Sequence, residues 1–214
     1  MAALWTAYHA SRSEGTGRGY LCAAVPRQLY DKMASVGSKY TSFIVPLPRP
    51  DPEDPTNADK TNYEFYFMQW NFHHSPPVPS ASDDPFDVAA LKASSSPNPK
   101  ISTILFTPLA EYKMRNSFAT PYLILTHYTD LAHTHDVVLL RGEITPAVAG
   151  TSADGRYMLS QEDAQKLVVA LQKFYLWGGS DGQPEGERLL ETFHREPEKF
   201  NWEEVLKFYN QVLV

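Results

Sequence analysis

Histidines and carboxylates are the first residues to weigh, because they hold metals and move protons near neutral pH. His127, His133, His135 and Asp136 lie close together in the chain, and His73 and His74 form a pair upstream. A zinc site wants such side chains converging at ligand distance, each oriented by a further hydrogen bond. Here three of them fall in or beside a loop between two predicted strands, where surface histidines are common, so no metal ligand is predicted. Gly15, Gly17 and Gly19 spell GxGxG, yet no strand leads in and no Lys-Ser/Thr follows, as a phosphate loop requires. A flexible linker is the better reading. No GxSxG, HExxH or Cys-His nucleophile pattern occurs. Cys22, between Leu21 and Ala23, reads as an inert buried thiol, and Glu203-Glu204 as a solvated helix face. The expectation is a protein with no catalytic residue, no metal and no cofactor: not an enzyme.

Binding chemistry is better represented. In a strand, Arg141 and Glu143 project to one face and Val138 and Leu140 to the other, with Gly142 between them. The pair reads either as a salt-bridged strand end or as a charged anchor at a protein interface. Trp5 and Tyr8 sit on a short predicted helix followed by the glycine linker, with no evident core to join. Interface hot spots are enriched in Trp, Tyr and Arg. Trp5, Tyr8, Arg141 and Glu143 are therefore the candidate partner-binding residues. The competing reading places the N-terminal helix on the domain's own sheet.

The bulk composition bounds the partner. Lys and Arg number 19 against 25 Asp and Glu, and no basic stripe is present, which argues against nucleic acid. Apolar runs are far shorter than the roughly 20 residues that span a bilayer, so no membrane insertion is predicted. One cysteine in 214 residues permits no intrachain disulfide, and a reducing compartment is the simplest reading. The N-terminal residues read as folded sequence and not as a secretory signal or an Arg-rich presequence. Aromatics at 13% and 17 prolines point to a ring-rich core or a sticky surface, joined by many loops.

Periodicity places these residues on elements. A helix is expected over Leu4–Ala10. Another follows Pro26, with Leu29, Tyr30 and Met33 on one face and Gly37 as its stop. Strands are expected over Tyr40–Val45, closed by Pro46-Leu47-Pro48-Arg49-Pro50, and over Tyr63–Trp70, apolar on both faces. Pro50–Asn62 reads as a loop. His73–Lys100 holds six prolines and six serines and reads as a disordered surface insertion, with one helical turn around Val88–Leu91. Ile101–Phe106 is a strand, after which Thr107 and Pro108 open a short helix. Tyr122–Tyr128 and Val137–Ile144 make a hairpin. Ser160 and Asp163 begin a helix that Gly178-Gly179 ends, a short helix carries Leu189, Leu190 and Phe193, and Asn201 caps the last. The sum is an α+β fold: residues 1–214 as a single domain, with a mainly antiparallel sheet of about five or six strands flanked by N-terminal and C-terminal helices.

Several segments, taken in order, carry a family resemblance. They are Leu4-Trp5 with Tyr8-His9, Phe43-Ile44-Val45-Pro46-Leu47-Pro48-Arg49, Phe65 with Gln69-Trp70, and Phe106-Thr107-Pro108-Leu109-Ala110-Glu111-Tyr112-Lys113. His127-Tyr128-Thr129-Asp130-Leu131, Val138-Leu139-Leu140-Arg141-Gly142-Glu143, Gln172-Lys173-Phe174-Tyr175 and Leu189-Leu190-Glu191-Thr192-Phe193 complete the series. Together they resemble the mitochondrial assembly chaperones for the F(1) head of ATP synthase, the type that binds the free β subunit. Two departures stand out. The loops at Pro50–Asn62 and His73–Lys100 are longer than usual in that family, and its full-length members begin with a presequence and a further N-terminal region not evident here. The resemblance implies a protein of the mitochondrial matrix, monomeric when free, that holds isolated β subunits against aggregation and yields them to the α subunit. An orphan subunit of an alternating ring exposes apolar surface meant for its neighbour, and such patches drive association. Two other readings compete: a small metal-dependent hydrolase, and a generic protein-binding adaptor docking through the His73–Lys100 segment.

Overall fold

A computed structural model describes residues 2–10, 18–49, 61–75, 98–147, 157–176 and 185–211. Its elements are α1 (Ala2–Ala10), β1 (Tyr20–Pro26), α2 (Arg27–Lys39), β2 (Ser42–Arg49), β3 (Asn62–Phe72), β4 (Ile101–Pro108), α3 (Leu109–Arg115), β5 (Leu123–Tyr128), β6 (Val137–Ile144), α4 (Gln161–Tyr175), α5 (Glu185–Arg195) and α6 (Trp202–Gln211). The strands form one antiparallel sheet in the order β1-β6-β5-β4-β3-β2. The α+β expectation holds. The readings on the 76–97 insertion, the 50–60 loop and Gly178-Gly179 lie outside the described residues.

Strand alternation sends one set of side chains into the core: Phe43, Val45 and Leu47 of β2, Tyr66, Met68 and Trp70 of β3, Ile104 and Phe106 of β4, Leu123 and Leu125 of β5, Leu140 and Ile144 of β6. Leu167, Leu171 and Phe174 of α4, Leu189 and Leu190 of α5, and Val205, Phe208 and Tyr209 of α6 cover that face. α4 starts as its sequence suggests, with Asp163 N–H donating to Ser160 Oγ at 3.0 Å. The Asp163 carboxylate does not reach back to complete a capping box. It accepts from Arg49 Nη1 at 2.6 Å, while Arg49 Nη2 bonds Glu64 at 2.7 Å, so one guanidinium ties β2 and β3 to the start of α4. At the far end of the layer, buried Lys173 donates to the Tyr209 carbonyl at 2.9 Å, in the last turn of α6. Burial lowers its pKa, and the carbonyl end of a helix favours a cation there.

Four local expectations need correction. Tyr20–Pro26 forms β1, an edge strand that pairs with β6, where no element is expected from the sequence. α2 runs through Gly37 to Lys39. Gly37 is there for space: a Cβ would sit 2.8 Å from the Trp70 ring. β2 continues across Pro46 and Pro48 to Arg49, which an edge strand permits because a missing N–H can point away from the partner. β4 likewise absorbs Thr107 and Pro108, and α3 starts at Leu109 with no side-chain cap.

Candidate functional site

The histidines do not converge. His127, on the expected strand, lies on β5 facing the core, buried, stacked on Trp70 at 5.9 Å. Its Nδ1 is 3.3 Å from Ser102 Oγ, which is 3.0 Å from the Tyr30 hydroxyl. Burial pushes its pKa down to about 4, so it is neutral at pH 7. Ser102 is fully buried, and a serine that no substrate can touch is no nucleophile. The chain Tyr30–Ser102–His127 pairs polar groups that β4, β5 and α2 would otherwise bury unsatisfied. His133 and His135 are exposed in the β5–β6 loop, and His73 bonds Thr103 at 2.9 Å. His73 and His133 line a cleft of about 670 Å³ together with Arg27, Asp31 and Lys100, while His127 lines a different, apolar slot. Among the described residues no three His, Cys, Asp or Glu side chains group to hold a metal ion. Gly19 ends the glycine string at φ +83°, with the Tyr157 ring where a Cβ would be. Its backbone starts β1, taking the Ile144 N–H at 2.8 Å.

The sheet face opposite the core holds the residues singled out for binding. Register places Tyr20 and Cys22 of β1, Leu139, Arg141 and Glu143 of β6, Ile124, Thr126 and Tyr128 of β5, Thr103 and Leu105 of β4, and Phe67 and Gln69 of β3 on it. Among the described residues, helices cover only its flanks. α1 packs on β1, with Trp5 Nε1 donating to the Leu140 carbonyl at 2.9 Å and the Trp5 ring edge-on to Tyr128 at 5.8 Å. Trp5 thus anchors α1 to the protein's own sheet, helped by buried His9, whose Nδ1 bonds the Trp5 carbonyl at 2.8 Å. On the other flank α3 sets Tyr112 against Phe67 at 4.3 Å, and Trp202 of α6 meets Phe65 at 6.0 Å.

Both flanking segments carry large apolar side chains into solvent: Leu4 is 72% and Tyr8 50% exposed on α1, Met114 of α3 is 78% and the adjoining Phe118 86% exposed. Between them Arg141 Nη2 bonds Glu143 at 2.6 Å. That bond raises the Arg141 pKa, with Tyr128 and Tyr20 adding to it. Arg141 Nε is buried with no hydrogen-bond partner among the described residues. The structure thus brings Trp5, Tyr8, Arg141 and Glu143 to one face. Sequence reading missed Met114 and Phe118, although the L-A-E-Y-K-M-R segment shows no apolar stripe long enough to bury them.

The profile of the ATP11 protein family matches residues 1–206. The chain belongs to that family. It is 31% identical over 179 residues to Protein atp11, mitochondrial, of Schizosaccharomyces pombe, covering 84% of this chain and 47% of that protein. It is 25% identical over 197 residues to ATP synthase mitochondrial F1 complex assembly factor 1 of Danio rerio, covering 92% of this chain and 46% of that protein. The chain therefore spans about half the length of the curated relatives it matches. The match takes in α1, α3 and β6, so the half-covered sheet face lies within the shared family region.

Proposed function

We propose that this protein is a mitochondrial assembly chaperone, acting in the matrix, that binds the unassembled β subunit of F(1)-ATPase, prevents its aggregation and hands it on to the α subunit. It does so without catalysis. The observation that carries the reading is the half-covered sheet face, flanked by the exposed side chains of Leu4, Tyr8, Met114 and Phe118. Large apolar side chains held in solvent on both flanks of one sheet face are the kind of surface that interaction sites use. Family membership and the likeness to the Danio rerio F1 complex assembly factor support a client among the F(1) subunits. Trp5 holds α1 in place, Tyr8 and Leu4 face the client, and the Arg141–Glu143 pair forms a polar rim that orients it. Release needs no nucleotide chemistry, because a larger and better-fitting subunit interface displaces a smaller one.

Co-expression with tagged F(1) α and β subunits, followed by affinity capture, tests this. The expected result is capture of β alone and loss of the complex when α is supplied in excess. Tyr8→Ser with Arg141→Ala should weaken capture while the circular-dichroism melt stays within a few degrees of the parent. Capture of α in preference to β, or of neither, would overturn the proposal.

A further inference from the structure

The two edges of the sheet end differently. On β2, Trp70 N–H donates to the Thr41 carbonyl at 2.7 Å, and the register continues through Ser42↔Gln69. Bonds to β3 therefore use alternate residues and turn Ser42, Ile44, Pro46 and Pro48 outward. The prolines offer no N–H, that of Ser42 meets His194 Nε2 of α5 at 3.4 Å, and among the described residues only the N–H of buried Ile44 is left without a partner on this edge. Proline and cover are ways of closing an edge against further pairing.

β1 lacks such closure along its middle. Ile144 N–H bonds the Gly19 carbonyl at 2.8 Å and Arg27 N–H the Asp136 carbonyl at 2.9 Å. With the unbroken register between them, Leu21, Ala23 and Val25 bond β6, while Tyr20, Cys22, Ala24 and Pro26 turn outward. The Tyr20 carbonyl accepts from Gln161 at 3.2 Å, and Pro26 has no N–H. Among the described residues nothing bonds the outward N–H and C=O groups of Cys22 and Ala24. Beside this edge lies an apolar slot of about 240 Å³ between α2 and α4. Ala23 and Val25 form its floor, Leu29 and Met33 one wall, Val168 and Leu171 the other, and no Asp, Glu, Lys or Arg lines it. Ala23 is exposed although it points to the core side, while Leu21 and Val25 beside it are half-buried against the core, so the helical layer is open over the middle of β1.

We infer that the β1 edge and this slot together receive an extended, uncharged apolar segment of a client polypeptide, which adds to the sheet as a further strand. Donor and acceptor groups on Cys22 and Ala24, two residues apart, match the repeat of an extended backbone. Alternate side chains of such a strand point to the core side, where the slot takes them. A charged side chain would lose its water against walls that offer no counter-ion. The source of the segment rests on the chaperone reading; the mode of docking rests on the edge itself.

Ala24→Pro separates docking from folding, because the N–H it removes bonds nothing in the β6 ladder and the extended Ala23 suits a residue before proline. Ala23→Phe fills the slot by an independent route. The probe is a fluorescein-labelled decapeptide of alternating leucine and threonine, titrated against the full chain by anisotropy. The expected results are saturable binding, at least tenfold weaker binding in each variant that melts like the parent, and slowed hydrogen exchange at the Cys22 and Ala24 amides on binding. A version N-methylated at alternate residues should not bind. The inference is overturned if the parent ignores the probe, or if both variants bind it unchanged. It is also overturned if those amides are already protected in the free protein, which would give the edge to another part of the chain. A concentration-dependent dimer abolished by Ala24→Pro would give it to a second copy. Capture of F(1) subunits, measured in parallel, keeps the two proposals apart. Subunits captured without probe binding sink only the edge, and probe binding without subunits sinks only the chaperone reading.

Discussion

The two faces of the sheet are built for different ends. One lies under α2, α4, α5 and α6 and carries the buried side chains from Phe43 to Ile144 that form the core. The other has, among the described residues, helices only at its flanks and leaves Met114 and Phe118 in solvent. A two-layer domain needs just one sealed face to fold, which frees the other for recognition. Truncating a side chain on the sealed face should therefore cost stability first. Phe43 sits among Phe174 at 5.1 Å, Phe193 at 5.4 Å and Phe200 at 6.1 Å. Phe43→Ala is expected to lower the unfolding free energy in urea by about 3–5 kcal/mol. A loss under about 1 kcal/mol would break the division of labour between the faces.

A smaller effect probes the polar chain under the same face. Burial holds the His127 pKa at about 4, below the roughly 6.5 of an unfolded histidine. The unfolded chain then takes up a proton that the folded one refuses. The stabilising preference for neutral His127 is full above pH 6.5 and is lost as pH falls toward 4. Between pH 7 and pH 5 this amounts to about 2 kcal/mol. Urea unfolding of the parent should show that loss, and His127→Gln should remove about that much of the pH dependence. Parallel pH profiles for the two proteins would mean that the folded protein protonates His127 as readily as the unfolded chain does.

Much of the sealed face was legible in the sequence because burial imposes periods. The i, i+3, i+4 stripe of α4, the Ser160 cap and the β5–β6 hairpin each follow from a local rule and appear where expected. What failed locally was decided by partners remote in sequence. Gly37 looks like a helix stop until Trp70 is placed against it. Pro46 and Pro48 look like strand breakers until β2 is known to be an edge. β1 is short, and no hairpin turn announces a partner that lies more than a hundred residues on. On the other face the residue types of Trp5, Tyr8, Arg141 and Glu143 were visible, but their meeting on one surface was not. That Trp5 spends its N–H on Leu140 is a tertiary fact.

The Gly37 contact is itself a prediction of intermediate size. An exposed helix gains stability from Gly→Ala by roughly 1 kcal/mol, but here the added methyl meets a ring that cannot swing away. Trp70 is stacked on His127 at 5.9 Å and lies 5.9 Å from Tyr175. Overpacking should win, and Gly37→Ala is expected to be net destabilising by about 1 kcal/mol in thermal or urea unfolding. A stabilised variant would show that α2 can shift on the sheet, and that the sealed face is looser than its packing suggests.

The smallest expected stability effect carries the most functional weight. Met114 and Phe118 touch little of the protein's own surface, so the double substitution Met114→Ser with Phe118→Ser should change unfolding free energy by less than about 0.5 kcal/mol. Removing two apolar anchors from an interface is another matter, since a single hot-spot truncation typically costs about 2 kcal/mol of binding or more. The expected outcome is a protein that melts with the parent yet fails to keep isolated F(1) β subunit in solution, read as light scattering during dilution from denaturant. Phe43→Ala supplies the reverse case, a weakened fold whose proposed client-binding residues are untouched and whose protection should persist at temperatures where it remains folded. If the double serine variant suppresses scattering as well as the parent, the client does not use the α3 flank. The binding surface would then contract to α1, Arg141 and Glu143, with the β1 edge beside them.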